Sequence, residues 1–352
     1  MLRRSLLVLL SAFALSCGED SAAPGTQAPG PLPAGEWTWV DLPGSECSDG
    51  SPTGIAVNPG PRADLLVFLD GGGACWDALT CFGIGQIPPA AKPGPFGAAE
   101  FEEKRSEIPG SLLDREEPGN PYREFTLVFV PYCTGDVHAG DAVQDYPGAG
   151  ERYHHHGRAN LATAGDWLLA RLPAPGKLVV SGASAGGFGA LLAHDALRAR
   201  WPSAKGYLVD DSGPPLVSDD FSPALRAAWV LAWRVDEAIG PVCGEDCALD
   251  LSRIVPALRG RWPQDRLALL SSTQDEVIRA YVGLGPAGFE RALLRLRDER
   301  FAPLAGAATF LVAGDFHTML GSPARFTAGG MPLVEWLRRQ VEDDPAWASA
   351  GP

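Results

Sequence analysis

Ser184 has the sequence surroundings of a catalytic nucleophile. It lies at the centre of GASAG, residues 182–186, where flanking glycines let the backbone turn sharply while the serine hydroxyl stays exposed. The apolar segment Lys177–Ser181 precedes the motif, and a helical pattern over Phe188–Arg200 follows it. A strand, a tight turn and a helix in this order predict a nucleophile elbow. The alternative is a glycine-rich turn that only packs a helix closely on a strand.

His317 is the matching candidate for a general base. The apolar segment Thr309–Ala313 leads into Gly-Asp-Phe-His317, and of the six histidines only His317 follows a strand candidate near the C-terminus. In hydrolases with a nucleophile elbow, the base follows the nucleophile and the last strand. His317 is therefore predicted to accept the proton of Ser184. A histidine with only a surface or core role is the alternative.

Two places in the sequence compete for the acid that would orient this histidine. Asp275 follows the apolar segment Arg266–Leu270, which is the strand candidate before the histidine. Asp210 and Asp211 end the strand candidate one earlier. The chain order of nucleophile, acid and base favours Asp275. Asp210 and Asp211 remain its rivals at this stage.

Backbone donors for a developing oxyanion are predicted in two segments. The residue after the nucleophile, Ala185, supplies one N–H group. The segment Asp70–Gly73 follows the apolar run Leu65–Leu69 and resembles the HGGG loop of esterases, with Asp in place of His. Glycines there let backbone N–H groups approach a substrate oxygen. No G-K-[ST] follows the glycines, so the segment is not predicted to bind nucleotide phosphate.

These residues lie at the ends of apolar segments that alternate with helical patterns. The strand candidates are Leu65–Leu69, Phe125–Val130, Lys177–Ser181, Gly206–Asp210, Arg266–Leu270 and Thr309–Ala313. Helical patterns cover Leu161–Leu172 and Phe188–Arg200. This alternation predicts an α/β-hydrolase fold, with a mostly parallel central sheet and helices on both faces. Residues 36–352 are predicted to form one catalytic domain, in which residues 214–263 form a helical cap.

The N-terminal residues predict export. Arg3 and Arg4 precede the apolar run Leu6–Leu15, as in a signal peptide, here residues 1–16. Cys17 would then be the lipid-modified first residue of a lipoprotein of the bacterial cell envelope. Ordinary secretion is the alternative. Residues 17–35 are rich in Ala, Pro and Gly and are predicted to form a tether.

The cysteine count agrees with export. Seven cysteines less Cys17 leave six, an even set that predicts three disulfides among 15 possible connectivities. Two pairs are close enough in sequence to close short loops, which would leave the other two cysteines to pair over a long range. The short-range pairs are Cys75–Cys81 and Cys243–Cys247, and the remaining cysteines are Cys47 and Cys133.

Neither a metal nor an organic cofactor is expected. The cysteines include no C-x-x-C pair with suitably spaced histidines. The run His154–His156 is interpreted as a loop over the active-site mouth, because adjacent histidines point in different directions on any regular element.

The formal net charge of −14 disfavours some partners. It argues against nucleic acid and anionic lipid and, less firmly, against a strongly anionic polymer substrate. A monomer is expected, with membrane contact only through an N-terminal lipid anchor.

In combination, the motifs resemble those of the pectin acetylesterase/Notum family of the α/β-hydrolase superfamily, as a bacterial member. The matching segments, in family order, are Cys47–Pro52, Phe68–Cys75 with Cys81, Pro131–Asp136, Gly182–Gly187, Asp210–Gly213, Asp275–Glu276 and His317. The resemblance implies a triad of Ser184, Asp275 and His317. It also implies an oxyanion hole of Gly72, Gly73 and Ala185 and the disulfides Cys47–Cys133 and Cys75–Cys81. Gly73 and Ala74 replace bulky aromatic residues of some relatives, which implies a more open pocket rim.

These features predict a serine carboxylesterase without a cofactor. Ser184 would form an acyl-enzyme and remove a small acyl group, such as acetyl, from a polysaccharide or another alcohol. The first alternative is an esterase or lipase that acts on longer acyl chains. The second is a non-catalytic surface-binding lipoprotein on a hydrolase scaffold, which the presence of serine, histidine and acid argues against.

Overall fold

An eight-stranded sheet forms the centre of the part of the chain that the structure describes. The structure is a computed structural model that describes residues 32–92 and 94–352. In chain order, the strands are β1 (Thr38–Glu46), β2 (Pro52–Asn58), β3 (Leu65–Leu69), β4 (Thr126–Val130), β5 (Ala142–Gln144), β6 (Tyr153–His155), β7 (Lys177–Ala183), β8 (Lys205–Asp211), β9 (Arg266–Ser272), β10 (Ala307–Val312), β11 (Thr327–Ala328) and β12 (Met331–Pro332). The predicted signal peptide, Cys17 and the tether up to residue 31 lie outside the described residues.

The central sheet is mostly parallel. Its strand order is β1-β2-β4-β3-β7-β8-β9-β10, and the strands from β4 to β10 in this order run parallel. At one edge, β1 pairs with β2 and β2 pairs with β4 in antiparallel register. Short two-stranded sheets are formed by β5 with β6 and by β11 with β12. The carboxyl ends of the parallel strands therefore meet at one edge, where ligands of such sheets bind.

The helices cover both faces of this sheet. Within the described ranges they are α1 (Ala78–Phe82), α2 (Ala98–Lys104), α3 (Gly157–Arg171), α4 (Ala185–Arg200), α5 (Pro223–Trp233), α6 (Val235–Leu249), α7 (Ile254–Arg261), α8 (Glu276–Val282), α9 (Pro286–Leu296) and α10 (Leu333–Val341). Short 3-10 turns occur at Arg105–Glu107, Leu251–Arg253 and Pro323–Arg325, and a π-helical turn at Arg297–Phe301. None of the helices in the described ranges is long and apolar enough to cross a membrane.

Alternate residues of each central strand enter different cores, which explains the continuous apolar runs in the sequence. On β3, Leu65 and Val67 pack with α3 and α4 on one face, whereas Leu66 packs with α10 on the other. On β7, Val180 belongs to the first core and Val179 to the second. The predicted α/β-hydrolase type of fold is thereby confirmed.

The segment predicted as a helical cap is helical over most of its length. It contains α5, α6 and α7 between β8 and β9. Ser222 caps α5 through a hydrogen bond from Leu225 N to Ser222 Oγ, and Pro223 occupies the first turn, where its missing N–H costs nothing. Gly244, at φ 55° and ψ −138°, bends α6 between the cysteines of the Cys243–Cys247 disulfide. The α5 tryptophans, Trp229 and Trp233, stack on each other in the core.

Candidate active site

Ser184 lies on a strained turn between β7 and α4. Its backbone has φ 60° and ψ −122°, a conformation that residues with a side chain rarely adopt, and Ser184 N donates to Asp211 O at 2.7 Å. The neighbouring glycines are sterically required. A Cβ on Gly182 would lie 2.1 Å from Gly186 O, and one on Gly186 would lie 2.0 Å from Leu69 O. The turn therefore has the geometry of a nucleophile elbow.

His317 and Asp275 are hydrogen-bonded to each other. His317 Nδ1 lies 2.8 Å from Asp275 Oδ2 and 3.0 Å from Asp275 Oδ1. Asp275 is fully buried, and its Oδ1 also accepts from the N–H groups of Val277 and Ile278 at the start of α8. The helix N-terminus thus stabilises the carboxylate charge beside the imidazole. This arrangement leaves Nε2 of His317 as the nitrogen available to a nucleophile.

Asp211, the sequence rival of Asp275, contacts the backbone of the same loop instead of the imidazole. Its Oδ2 accepts from Met319 N at 2.6 Å and from Leu320 N at 2.8 Å. Burial raises the pKa of Asp211 to about 6, although those two hydrogen bonds act in the opposite direction. The neighbouring Asp210 is also buried and accepts from Gly213 N. Asp211 therefore fixes the loop that carries His317.

Ser184 and His317 line the same cavity at the carboxyl ends of the parallel strands. Among the described residues, Ser184 Oγ and the imidazole of His317 form no hydrogen bond with each other. In hydrolases without substrate, this hydrogen bond is often long and shortens only in the substrate complex. The residues predicted as a triad thus comprise a buried, hydrogen-bonded Asp275–His317 pair and a serine that lines the same cavity as His317.

The backbone N–H groups that are predicted to bind the oxyanion make no hydrogen bond within the described residues. Among the described residues, the backbone N–H groups of Gly72, Gly73 and Ala185 donate to no other group. Gly72 and Gly73 share the cavity of Ser184, and Ala185 follows the serine directly at the start of α4. A Cβ on Gly71 would lie 2.4 Å from Ala183 O, so this loop packs tightly against the elbow. Three donors beside the nucleophile suit a tetrahedral oxyanion.

The loop after β4 holds the glycine loop in position, and sequence analysis did not identify this role. Tyr132 Oη donates to Gly73 O at 2.8 Å, and His138 Nε2 lies 2.8 Å from Asp70 O. Burial lowers the pKa of His138 to about 4, so its ring is neutral at pH 7 and Nε2 carries the proton given to Asp70 O. The sequence signal for this loop is its series of polar residues directly after the apolar run Phe125–Val130: Tyr132, Thr134, Asp136, His138 and Asp141.

Tyr281, on α8, occupies the space beside Gly73 and Ala74. Ala74 N donates to Tyr281 Oη at 3.3 Å, and a Cβ on Gly73 would lie 2.7 Å from the same oxygen. Tyr281 Oη in turn donates to Ala90 O. The small residues Gly73 and Ala74 therefore do not open the pocket rim, because the side chain of Tyr281 occupies the adjacent space.

Ser184 lines two cavities of very different size. The larger one has a volume of about 530 Å³, contains His317, and is lined by apolar residues including Phe101 and Ile108 together with charged groups. The smaller one has a volume of about 30 Å³ and contains Ser184, Ala185 and Gly73. Its apolar wall comes from several elements, including α5: Ala74, Val137, Phe188, Leu225, Trp229, Ile278, Tyr281 and Val282.

Two lysines lie at the larger cavity. Lys104 Nζ is 3.2 Å from Asp70 and 2.8 Å from Glu107, so its charge is shared between two carboxylates. Burial raises the pKa of Asp70, while Lys104 partly offsets the effect. Lys92 is exposed and has no ion pair within the described residues, although its N–H donates to Gly72 O at 2.9 Å. Within the described residues, the ammonium group of Lys92 is thus not held in an ion pair, although its charge contributes to lowering the pKa of Asp70.

Three disulfides join the cysteines of the described residues. Cys47 pairs with Cys133, Cys75 with Cys81, and Cys243 with Cys247. The first connects the end of β1 to the loop after β4, and the second lies directly after the glycine loop. Disulfides in such numbers are typical of proteins of oxidising compartments.

A mostly parallel sheet with a serine elbow at the carboxyl end of a central strand places this protein in the α/β-hydrolase class. The family model described as Pectinacetylesterase matches residues 38–228. The chain belongs to the pectinacetylesterase family, as its motifs predicted. The matched range contains Ser184 and the glycine loop and ends before Asp275 and His317.

Curated relatives carry the names of two kinds of esterase. The chain is 27% identical over 159 residues to "Palmitoleoyl-protein carboxylesterase NOTUM" of Schmidtea mediterranea, covering 44% of this chain and 28% of the relative. It is 25% identical over 174 residues to "Pectin acetylesterase 7" of Arabidopsis thaliana, covering 48% and 42%. The human NOTUM protein is 30% identical over 156 residues, covering 42% and 29%. The chain thus spans less than half of the length of each of these relatives.

Proposed function

We propose that this protein is a carboxylesterase that removes small acyl groups, such as acetyl, from a bulky alcohol. Ser184 is the nucleophile, His317 the general base and Asp275 the acid that orients it. The N–H groups of Gly72, Gly73 and Ala185 bind the oxyanion. The proposal is supported by the family membership and by the Asp275–His317 hydrogen bond.

The difference between the two cavities carries the proposed substrate preference. His317 must return its proton to the leaving alcohol, so the alcohol lies on the side of the imidazole, in the cavity of about 530 Å³. The acyl group then points to the other side of Ser184, into the cavity of about 30 Å³. That volume holds about two water-sized groups. The acyl side therefore suits acetyl, and the alcohol side suits a sugar or a larger group.

In the proposed reaction, His317 Nε2 takes the proton of Ser184 Oγ as that oxygen attacks the ester carbonyl. The C=O bond becomes a C–O⁻ single bond, whose oxygen faces the free N–H groups. Nδ1–H of His317 remains bonded to Asp275, which stabilises the imidazolium. The intermediate then expels the alcohol, which takes the proton from Nε2. A water molecule, deprotonated by His317, hydrolyses the acyl-enzyme and regenerates Ser184.

We infer that the substrate is an acetylated polysaccharide outside the cytoplasm, and that the alcohol released is a hydroxyl group of its sugar. The three disulfides fit export, and the cavity volume on the alcohol side accommodates a sugar unit. Lys92 would favour a uronate-containing chain over a neutral one, whereas the net charge of −14 opposes binding of a long polyanion. Anchoring through Cys17 and a monomeric state remain predictions.

The proposal is tested with p-nitrophenyl esters of increasing acyl length. Wild type should hydrolyse the acetate, and Ser184→Ala should lower kcat/KM by about 10⁴-fold or more. Because each methylene group that does not fit costs about 10-fold or more, kcat/KM should fall steeply from acetate to butyrate and octanoate. Acetate release from acetylated pectin and from acetylated xylan would then identify the alcohol.

Each alternative has its own outcome in this experiment. Hydrolysis of octanoate at least as fast as acetate would contradict the small acyl group and support a lipase-like specificity. No hydrolysis by wild type, or equal rates for wild type and Ser184→Ala, would contradict the enzyme itself and leave a binding protein.

A further inference from the structure

Outside the active site, Glu46, His154 and His156 form a compact cluster. Glu46 is the last residue of β1, His154 belongs to β6, and His156 precedes α3. His154 Nδ1 lies 2.9 Å from Glu46 Oε1, and His156 Nδ1 lies 2.5 Å from the same oxygen. The histidine side chains are each 21% exposed and that of Glu46 is 28% exposed, so solvent ions can reach the cluster.

The strand geometry of β6 explains why these two histidines meet. Side chains at positions i and i+2 of an extended segment point the same way, whereas position i+1 points to the opposite side. His155 accordingly points into the interior, where its Nδ1 lies 3.0 Å from Thr134 O and its Nε2 lies 2.8 Å from Tyr146 Oη. His154 and His155 thus belong to a strand and none of the three histidines lines the cavity of Ser184, so the interpretation of the run as a loop over the active-site mouth is wrong. The argument that adjacent histidines point in different directions does not apply to His154 and His156, which are two positions apart.

The backbone around the three side chains is held firmly. Asn160 binds both sides of Glu46: Glu46 N donates to Asn160 Oδ1 at 3.0 Å, and Asn160 Nδ2 donates to Glu46 O at 2.8 Å. His154 N donates to Ser48 O at 2.8 Å, next to the Cys47–Cys133 disulfide. These contacts keep the three groups together without a ligand, which lowers the entropic cost of binding one.

We propose that Glu46, His154 and His156 bind a divalent transition-metal ion of the zinc class. Two imidazoles and one carboxylate, with a fourth position left for water, are a common ligand set for Zn²⁺. The metal would replace the protons on the Nδ1 atoms, and each ring would keep a proton on Nε2. At tetrahedral zinc with bonds of about 2.0 to 2.1 Å, ligand atoms lie about 3.3 Å apart.

The observed separations are close to this requirement. The carboxylate oxygen has to move away from each Nδ1 atom by less than about 1 Å. One ligand atom from each of the three residues lies within 4.8 Å of the other two. Imidazole nitrogens select zinc, copper, nickel or cobalt over Mg²⁺ and Ca²⁺, which prefer oxygen ligands. The site would join the end of β1 to β6 and the start of α3, independently of the proposed esterase activity.

The experiment uses the full chain, purified without a histidine tag and freed of metal with a chelator that is then removed. Titration calorimetry with ZnCl₂ at neutral pH should show one bound equivalent that CaCl₂ and MgCl₂ do not reproduce. His156→Gln and Glu46→Gln should each weaken this binding at least about tenfold. Glu151→Gln is the matched control, because it removes the same charge from an exposed neighbouring position and should bind zinc like wild type.

Two further measurements separate this site from other zinc ligands and from misfolding. Saturating Zn²⁺ should raise the Tm of wild type and of Glu151→Gln but not that of His156→Gln. Zinc-edge X-ray absorption on wild type should show nitrogen and oxygen neighbours and no sulfur. Sulfur neighbours, or equal zinc affinity in wild type, His156→Gln and Glu46→Gln, would overturn the proposal. The cluster would then be a hydrogen-bonded Glu–His group only.

Discussion

Asp211 and Asp275 are both buried beside the His317 loop, yet they bind different atoms of it. Asp275 faces His317 Nδ1, so it can fix the tautomer of the ring and stabilise its positive charge. Asp211 binds the backbone N–H groups of Met319 and Leu320, and its carbonyl accepts from Ser184 N. One residue thus connects the nucleophile turn with the base loop. Asp275 therefore contacts the ring of His317, whereas Asp211 contacts the backbone of the loop that carries it.

Replacing each acid by asparagine should separate these roles. Asp275→Asn should lower kcat by about 10³- to 10⁴-fold, because an amide favours the wrong imidazole tautomer and carries no charge. Asp211→Asn should cost up to about 100-fold, the size of effect expected from a small displacement of His317. Steady-state kinetics on p-nitrophenyl acetate measure both. A larger loss in Asp211→Asn than in Asp275→Asn would reverse the assignment of the triad acid.

The pH dependence of the free energy of unfolding tests the raised pKa of Asp211 independently of activity. Its folded-state pKa of about 6 is higher than the ordinary 3.8, so the folded protein binds this proton more tightly than the unfolded chain does. The contribution of Asp211 to the free energy of unfolding therefore rises as pH falls from 7 to 5, by about 1 kcal/mol. Asp211→Asn should lack this increment in denaturant titrations at the two pH values.

At the scale of elements, helix α5 forms part of the wall of the small cavity that is proposed to hold the acyl group. Its inner face presents Leu225 and Trp229 to the space beside Ser184, whereas Leu231 on the same helix is 78% exposed. Trp229 packs between Phe188 and Trp233 and is held in place by these rings. The helical insertion therefore contributes a fixed part of the wall of this small cavity.

Shortening Leu225 should enlarge this cavity and change acyl preference. Leu225→Ala removes three carbon atoms from the cavity wall, so the ratio of kcat/KM for butyrate to that for acetate should rise about tenfold. The helix should remain folded with a loss of about 2 to 5 kcal/mol in the free energy of unfolding. Leu231→Ala is the control on the same helix and should leave the ratio unchanged. An unchanged ratio in Leu225→Ala would place the acyl group elsewhere.

The sequence predicted the parallel strands of the sheet better than its antiparallel end. The strands β3, β4, β7, β8, β9 and β10 all coincide with apolar runs, because each is buried on both faces. The strands β1 and β2, at the antiparallel end of the sheet, were not predicted. β1 contains Pro43 and Gly44 within a register shift, and β2 begins Pro-Thr-Gly, so neither shows a continuous apolar run.

The predicted site residues follow from local sequence motifs, whereas the residues that hold them in position do not. Ser184 and the glycine loop have local sequence signatures, and the structure brings them to one cavity with His317. The residues alone left two places for the acid, because Asp211 ends β8 and Asp275 follows shortly after the adjacent parallel strand β9. In the structure, Asp275 caps the start of α8 and its carboxylate contacts the ring of His317, whereas the carboxylate of Asp211 contacts backbone N–H groups. Tyr281 closes the pocket rim from a distant segment that no short motif indicates.

The disulfides link distant parts of the whole molecule to different extents. Cys47–Cys133 spans 86 residues and ties the antiparallel edge of the sheet to the loop that positions Gly73 and Asp70. Cys243–Cys247 spans 4 residues within the bend of α6. A cross-link that closes a longer loop removes more entropy from the unfolded chain. Global stability should therefore depend on the first disulfide much more than on the last.

Paired serine substitutions measure this difference. Removing Cys47–Cys133 should lower the free energy of unfolding by about 4 to 5 kcal/mol, and removing Cys243–Cys247 by about 2 kcal/mol. Guanidinium titrations of both variants and wild type, without reductant, supply the values. The long-range variant should also lose esterase activity at denaturant concentrations where the other stays active, because its break releases the loop behind Gly73. Equal losses of unfolding free energy in both variants would contradict a mainly entropic contribution. Local packing around each disulfide would then determine how much it stabilises the fold.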